Sequence, residues 1–437
     1  MGSYNDASRE IDWKIEIYLN GEASDPVVVT RADYLIRATT LHEASSETSG
    51  FFGKFTSDEV SFVLYNDGKF SPTNKTSPYY GKIKKGVKVK AYSRPSLTDS
   101  DPWDEVGEFY VTDWQSAITG TTASVTANDK LHGVISAKAP LLKVQRGVTY
   151  ADFIGAVLQA LGIKATIDNA LVDTLEMAYT GDSNHEFISD LMIAALSWLF
   201  VDTHGNVCAK SMVAAARGDI KATLTDGDQI ISVDAEQSIN TDFDGASVVA
   251  NIPYESEEVM LVEAKATKCI VGNETHKPMY SAVTPIVRIV KGFIVGESDV
   301  HVSGVAASQD AVTITTTNDE TEEKEVDIVV TGTTIKTTPV YTIDEGESLL
   351  EVDSNYVQSK ARANEIYKVL RKIVESKMPY VTVEIKGNPT LEVGDKIKIE
   401  SVKYNLDFTG LIVSNETTYT GGMHGTLKLI DASIFGL

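Results

Sequence analysis

Short runs of alternating apolar and polar residues dominate the chain. Ile11, Trp13, Ile15, Ile17 and Leu19 share one face of a run whose other positions are polar or Tyr18, the period-two pattern of a half-buried strand. Asn20-Gly21 then supplies a hairpin-type turn. Further strands are predicted at Val60–Tyr65, closed by Asn66-Asp67-Gly68, and at Gly86–Ala91, Phe109–Trp114 and Ala123–Ala127. Repeated short strands with turn signals between them predict an antiparallel sandwich or barrel over residues 1–133.

The pattern then changes period. Phe153, Ile154, Val157, Leu158 and Leu161 make one helical face, with Thr149 and Asp152 able to cap its start and Gly162 its end. Ser183 with Glu186 reads as a capping box for a second helix carrying Phe187, Leu191, Ala195 and Trp198. Leu199–Ala209 reads as two strands around an Asp-x-x-Gly turn, so residues 134–222 are expected to form a small α/β domain.

Strands resume near Ile230. Residues 276–346 are rich in Thr and Val, and Val312–Thr317 and Val326–Val330 flank an acidic loop like a hairpin, which predicts an all-β insertion over 271–350. A long helix is expected over 353–378, with Ala363, Ile366, Leu370, Ile373 and Val374 as its apolar stripe and Pro379 as its stop. Closing strands are expected at Tyr380–Ile385, Lys396–Ile399, Gly410–Val413 and Gly425–Ile430. No strict short-period repeat marks a solenoid.

The 437 residues suit roughly two to four domains at ~100–200 residues each. No stretch approaches the ~18 apolar residues of a membrane span, and the polar start, Met1–Glu10, has no signal-peptide core. Met1-Gly2-Ser3 fits a cloning scar or a native start equally. A formal net charge of −23 argues against tight nucleic-acid binding by the bulk surface and favours solubility before assembly. Cys208 and Cys269 have no CxxC partner, so they read as small buried hydrophobes made in a reducing compartment.

Catalytic chemistry leaves little trace. The seven histidines are scattered, with no HExxH, and His204 reads as a solvated turn residue. GxSxG, Walker and post-strand GxGxxG motifs are absent, and the Asp202–Gly205 and Asn66–Gly68 turns lack the oxygen ligands of a calcium loop. No catalytic residue, metal ligand or cofactor is therefore expected. Two basic stretches stand out: Lys82–Arg94, with Lys84, Lys85, Lys88 and Lys90, and the predicted helix, with Lys368, Arg371 and Lys372. One reading is a solvated strand edge and helix face. The other is a set of subunit-interface residues that meet acidic surface on a neighbouring copy.

The stretch from Val60 to Val89, VSFVLYNDGKFSPTNKTSPYYGKIKKGVKV, resembles the N-terminal signature of phage minor tail and baseplate-hub proteins. A strand ends at Asn-Asp-Gly, then come Phe-Ser-Pro, Ser-Pro-Tyr-Tyr and a Gly-x-x-Val strand; Pro72 and Pro78 would stiffen the connection, and Phe70, Tyr79 and Tyr80 would pin it. Ser354–Ser359, the Asn388-Pro-Thr-Leu-Glu-Val-Gly-Asp395 turn and Tyr419–Met423 resemble the C-terminal part of the same proteins. The resemblance implies a hub like those of contractile-phage baseplates and type VI secretion spikes, where two similar β-barrels per subunit let a trimer match a six-fold tube. It implies a mainly β fold with α+β parts: a first tube-like antiparallel barrel at 1–133 and a second, split, at 223–270 and 351–437.

The implied role is a non-enzymatic ring at the virion tail tip, made in the host bacterial cytoplasm, with no membrane in the free state. Its implied partners are further copies of itself as a homotrimer, the tail tube or distal tail protein, the tape measure protein and a spike or central fibre. DNA would only pass through the channel, whose wall is expected to be acidic or neutral. No spike or needle domain follows in the sequence, so a separate spike protein would close the tube. Two other readings stay open: a tail-associated peptidoglycan hydrolase, and a receptor- or glycan-binding tail module that uses the insertion.

Overall fold

The computed structural model describes residues 10–44, 54–96, 102–116, 120–140, 142–227, 229–234, 243–269, 272–276, 285–296, 299–343, 346–376 and 379–436. The expected mainly β fold with α+β parts is borne out.

The first unit comprises β1 (Glu10–Ile17), β2 (Val27–Thr30), β3 (Leu35–Glu43), β4 (Glu59–Tyr65), β5 (Lys88–Ser96), β6 (Asp104–Ser116) and β7 (Thr122–Asn128). They lie in the order β3-β4-β7-β6-β5-β1-β2. The alternating apolar residues turn inward, so Trp13, Ile15, Phe62, Leu64, Val89 and Phe109 fill the interior of an open barrel. The long β4–β5 connection is pinned much as its residues suggest. Asn66 Oδ1 accepts from the N–H of Gly68 and Phe70, each at 3.0 Å, and the buried Phe70 ring stacks on Tyr79 and meets Tyr34 edge-on. Trp114 Nε1 donates to Phe70 O at 2.9 Å. Tyr80, also expected as a pin, is exposed.

Next come α1 (Leu131–Ser136), β8 (Gln145–Thr149), α2 (Tyr150–Ala160), β9 (Ala165–Ile167), β10 (Thr174–Ala178), α3 (Asn184–Ala194), β11 (Ser197–Val201), β12 (Val207–Ser211) and α4 (Met212–Arg217). Thr149 caps α2 through the Asp152 N–H. Ser183 makes no side-chain cap bond. The next residue, Asn184, is buried instead and donates to Ala137 O and Lys138 O, which ties the start of α3 to the end of α1.

The remaining elements are β13 (Ala222–Thr225), β14 (Ile230–Asp234), β15 (Gly245–Glu255), β16 (Val259–Cys269), β17 (Gly272–His276), β18 (Ile286–Ile294), β19 (Val300–Ala307), β20 (Val312–Asn318), β21 (Lys324–Ile343), β22 (Leu349–Ser354), α5 (Lys360–Glu375), β23 (Tyr380–Ile385), β24 (Lys396–Ser401), β25 (Leu406–Tyr419) and β26 (Met423–Asp431). A second open barrel runs β14-β23-β26-β25-β24-β13 around Val381, Val383, Ile397, Ile399, Leu427 and Leu429.

Two expectations are revised. Residues 245–269 do not enter the second barrel: β15 and β16 run consecutively antiparallel to the 20-residue β21, to which β18 also pairs, forming a long ribbon from which β17, β19 and β20 project. The helix expected from 353 begins at Lys360, capped by Ser359, because Leu349–Ser354 is taken up as a strand parallel to β15. The intervening Tyr356, Val357 and Gln358 are buried.

The two barrels repeat one another. Gly86 N–H donates to Val111 O at 2.8 Å, and Gly394 N–H to Ile412 O at 2.7 Å. Val111 N–H returns to Val87 O at 2.8 Å, and Ile412 N–H to Asp395 O at 2.9 Å. Immediately afterwards the register slips in both, between Val111 and Asp113 and between Ile412 and Ser414. A second matching slip falls between Leu35 and Arg37 and between Ile230 and Ser232. Thus β3, β4, β7, β6 and β5 correspond to β14, β23, β26, β25 and β24. The match ends at the edge strand: β1 is antiparallel to β5, whereas β13 is parallel to β24.

The barrels are also not separate bodies. β25 pairs with β24 through Leu406–Leu411 and then with β3 through Ser414–Tyr419, so one 13-stranded sheet runs through both.

Candidate assembly surface

The basic strand β5 alternates outward Lys88 and Lys90 with inward Val87, Val89 and Ala91. Its neighbour β6 places Glu105 and Glu108 on the same outer face, with Lys90 and Glu108 in direct register. Lys88 Nζ lies 2.8 Å from Glu108 and 3.3 Å from Glu22; Lys90 Nζ lies 2.6 Å from Glu105 and 3.6 Å from Glu108. Lys130 adds a third cation 3.2 Å from Glu108, and Tyr110 OH donates to Glu108 at 2.9 Å. Burial would raise Glu108, but hydrogen bonds from Lys88 and Tyr110 and the charge of Lys130 hold its carboxyl below the usual range. Burial likewise opposes the charge on Lys88 and Lys90, and their carboxylate partners outweigh it, leaving both raised. Lys88 and Lys90 are thus paired within the chain.

Lys84 and Lys85 are exposed and have no side-chain partner among the described residues. Lys85 borders an open groove of about 440 Å³, also lined by Tyr110, Val111, Thr112 and Lys130, where β6 slips its register beside Gly86. On α5, Lys368 is exposed, Arg371 pairs with Glu375 one turn on, and Lys372 donates to Gly436 O at 2.6 Å and Ser433 O at 3.3 Å. The structure therefore keeps the two basic stretches on different units. Among the described residues it leaves Lys84, Lys85 and Lys368 as the cations without side-chain partners in the set of seven expected interface residues. His204 sits in the expected exposed turn, where Asp202 Oδ1 accepts its N–H at 3.0 Å and its ring lies 3.6 Å from Glu105.

One buried polar cluster lay outside the sequence reading. His42 Nδ1 is 2.7 Å from Asp58 Oδ2, Asp58 Oδ1 accepts from Glu43 N–H at 2.9 Å, and Asp58 N–H donates to Asp129 Oδ2 at 2.9 Å. Asp129 Oδ1 accepts from Leu131 N–H at 2.8 Å, which orders the start of α1. Burial pulls His42 toward neutrality, yet Asp58, Asp129 and Glu392 together raise it above its ordinary value. Burial, reinforced by the Asp58 carboxylate, pushes Asp129 well above the carboxylate range. These groups join β3, the approach to β4 and the exit from β7 to the α/β unit. All three are buried, Asp129 also borders the groove beside Lys85, and their hydrogen bonds make the cluster an internal joint between these elements.

No family model and no curated protein matches the sequence. Solved structures do match. The 43 kDa tail protein of prophage MuSo2 from Shewanella oneidensis is similar over 97% of this chain and 99% of its own, with a TM-score of 0.55 at 13% identity. The chain has a phage tail protein fold. The tail protein from Neisseria meningitidis MC58 is similar over 97% of this chain and 98% of its own, with a TM-score of 0.53 at 10% identity. Because both matches run nearly end to end, the tail protein fold includes the α/β unit and the ribbon as well as the barrels.

Proposed function

We propose that this chain is a structural subunit of a phage or phage-like tail tip. It would form a baseplate hub ring that joins the tail tube to a spike or central fibre and encloses the DNA channel. The observation that carries this reading is the duplicated barrel on one continuous sheet. A chain that holds two copies of one barrel in fixed relation is suited to present six equivalent units from three subunits to a six-fold tube. The end-to-end likeness to two phage tail proteins supports the same reading.

The ring is a homotrimer at the virion tail tip, and its neighbours are the tail tube or distal tail protein, the tape measure protein and the spike. Its work is mechanical, without catalysis. Lys84, Lys85 and Lys368 serve at contacts between copies or with neighbours, and Lys88 and Lys90 stabilise the barrel face from within. The test is a reconstruction of assembled particles: three copies per tail tip are expected, and six copies would overturn the trimeric hub.

A further inference from the structure

We propose that the cleft between the α/β unit, the ribbon and the β19–β20 turn binds a neutral oligosaccharide. This goes beyond the mechanical role above and does not depend on it.

The cleft holds about 710 Å³, within the ~300–1,000 Å³ range of small-molecule sites, which often lie where structural units meet. Three units build it. Lys138, Tyr179 and Asp182 come from the α/β unit, Tyr254 and Lys336 from β15 and β21 of the ribbon, and Asp310 from the turn between β19 and β20. Its base is fixed by buried contacts. Gln309, next to Asp310, accepts from Thr180 N–H at 2.7 Å and donates back to Thr180 O. Thr180 Oγ1 donates to Pro140 O at 2.8 Å, and both Gln309 and Thr180 are buried. The Tyr179 ring is backed by the buried Tyr356 ring, with centroids 5.8 Å apart, and Tyr356 OH donates to Tyr179 O at 3.0 Å. A cleft braced in this way is preformed, so a ligand has little protein to order when it enters.

The polar groups around the cleft are left over from folding. Asp310 Oδ1 is shut off from solvent and has no hydrogen-bond partner among the described residues. A buried acceptor without a donor is uncommon, and a bound donor would satisfy it. Lys138, Asp182 and Lys336 are exposed, and their side chains make no hydrogen bond or ion pair among the described residues.

The lining selects the ligand. Two lysines and two aspartates cancel, so neither an anion nor a cation finds a net charge of opposite sign. Among the described residues no group of three or more His, Cys, Asp or Glu side chains could hold a metal ion. Tyr179 and the exposed Tyr254 each offer an apolar ring with a polar tip. A sugar matches this set: its C–H face lies against a tyrosine ring, while its hydroxyls donate to carboxylates and accept from ammonium groups. Asp310 Oδ1 takes one such hydroxyl as its missing donor.

The test uses the full chain and four soluble probes: trisaccharides of N-acetylglucosamine, galactose and rhamnose, and trigalacturonate as an anionic arm. Saturation-transfer NMR should show contact with at least one neutral trisaccharide. Tyr254→Ala and Asp310→Ala should each weaken that binding about tenfold, the loss of roughly one good contact, with thermal unfolding checked for both; the exposed Tyr254 side chain can be removed without opening a core. Absence of contact with all three neutral probes overturns the proposal, as does binding that neither substitution weakens. Contact with trigalacturonate alone, fading as salt is added, overturns the neutral class. The hub reading is untouched by any of these results.

Discussion

His42 shows how a residue that looks incidental in sequence acquires weight from what surrounds it. Its partners Asp58 and Asp129 come from separate segments, and the buried pair with Asp58 is the centre of the joint. Replacing one member of a buried ion pair leaves the other charge stranded, at a cost of about 3–5 kcal/mol. Asp58→Asn is therefore expected to lower unfolding stability by about 3 kcal/mol near pH 6. The pH dependence has a definite sign. His42 is raised in the folded state, so its contribution is complete below its ordinary value of 6.5 and is lost as pH climbs through the folded value. Thus the gap between Asp58→Asn and the unsubstituted protein should shrink by pH 9; denaturant titrations at the two pH values showing an equal gap would refute the ion pair. Gly394 offers a second test at this scale. Its φ of +77° is unfavourable for a side chain, and an added Cβ would come within 2.9 Å of Lys210 Cδ. Gly86, at +80°, has open space around it. Both alanine variants should lose about 1–2 kcal/mol from the backbone alone, with Gly394→Ala the worse of the two in thermal unfolding.

At the scale of elements, two glutamines clasp the end of β10. Gln358 accepts from Met177 N–H at 3.0 Å and donates to Met177 O at 2.8 Å, substituting for a strand neighbour. Gln309, from the β19–β20 turn, accepts from Thr180 N–H at 2.7 Å and donates to Thr180 O. Gln358→Leu removes a donor and an acceptor from buried backbone, which should cost about 2–3 kcal/mol. Gln309→Ala should speed amide exchange at Thr180 while leaving the barrel strands protected; unchanged exchange would mean that the clasp does not hold the projecting strands in place.

Neither clasp was legible in the sequence, because each depends on residues far apart along the chain. The alternating strands β1, β4, β5 and β7 were legible because one face is wet and the other dry, which imposes period two. The ribbon was not. Gly245–Asn251 is buried throughout, packed beneath α5 and between β21 and β22, so it carries no alternation to read. The start of α5 was misplaced for a related reason: Asp353 and Ser354 suit a helix entrance in isolation, but the vacant edge of β15 claims them. Of the candidate surface, sequence pattern located the lysines, but the cross-strand carboxylates that neutralise Lys88 and Lys90 follow only from register. A signal for the duplication was present in Gly86-Val-Lys-Val-Lys and Gly394-Asp-Lys-Ile-Lys, five residues too short to stand out without the strand order.

For the molecule as a whole, a formal charge of −23 makes self-association sensitive to exposed cations such as Lys84 and Lys85. Lys84→Gln with Lys85→Gln should weaken assembly most at low ionic strength, since exposed pairs are screened within ~10 Å at 0.1 M salt. Sedimentation across a salt series reads this directly; identical profiles would show that the two lysines serve only solvation. A mechanical rather than hydrolytic role carries its own expectation. Purified protein incubated with bacterial cell walls should release no muropeptide, and release that tracks the purified chain would favour an enzyme.

The strand shared by the two barrels has a consequence for force. Six registered residue pairs, from Ser414 with Glu43 to Tyr419 with Ala38, hold one barrel to the other. Pulled along the strand direction, those hydrogen bonds load together in shear and resist as a group. Pulled sideways, they open one after another like a zip. A tail that drives its tip forward would load this strand lengthwise only if β25 lies near the axis of thrust. Single-molecule pulling along and across β25 should then give unequal rupture forces, and their ratio would report which way the subunit is built to bear load.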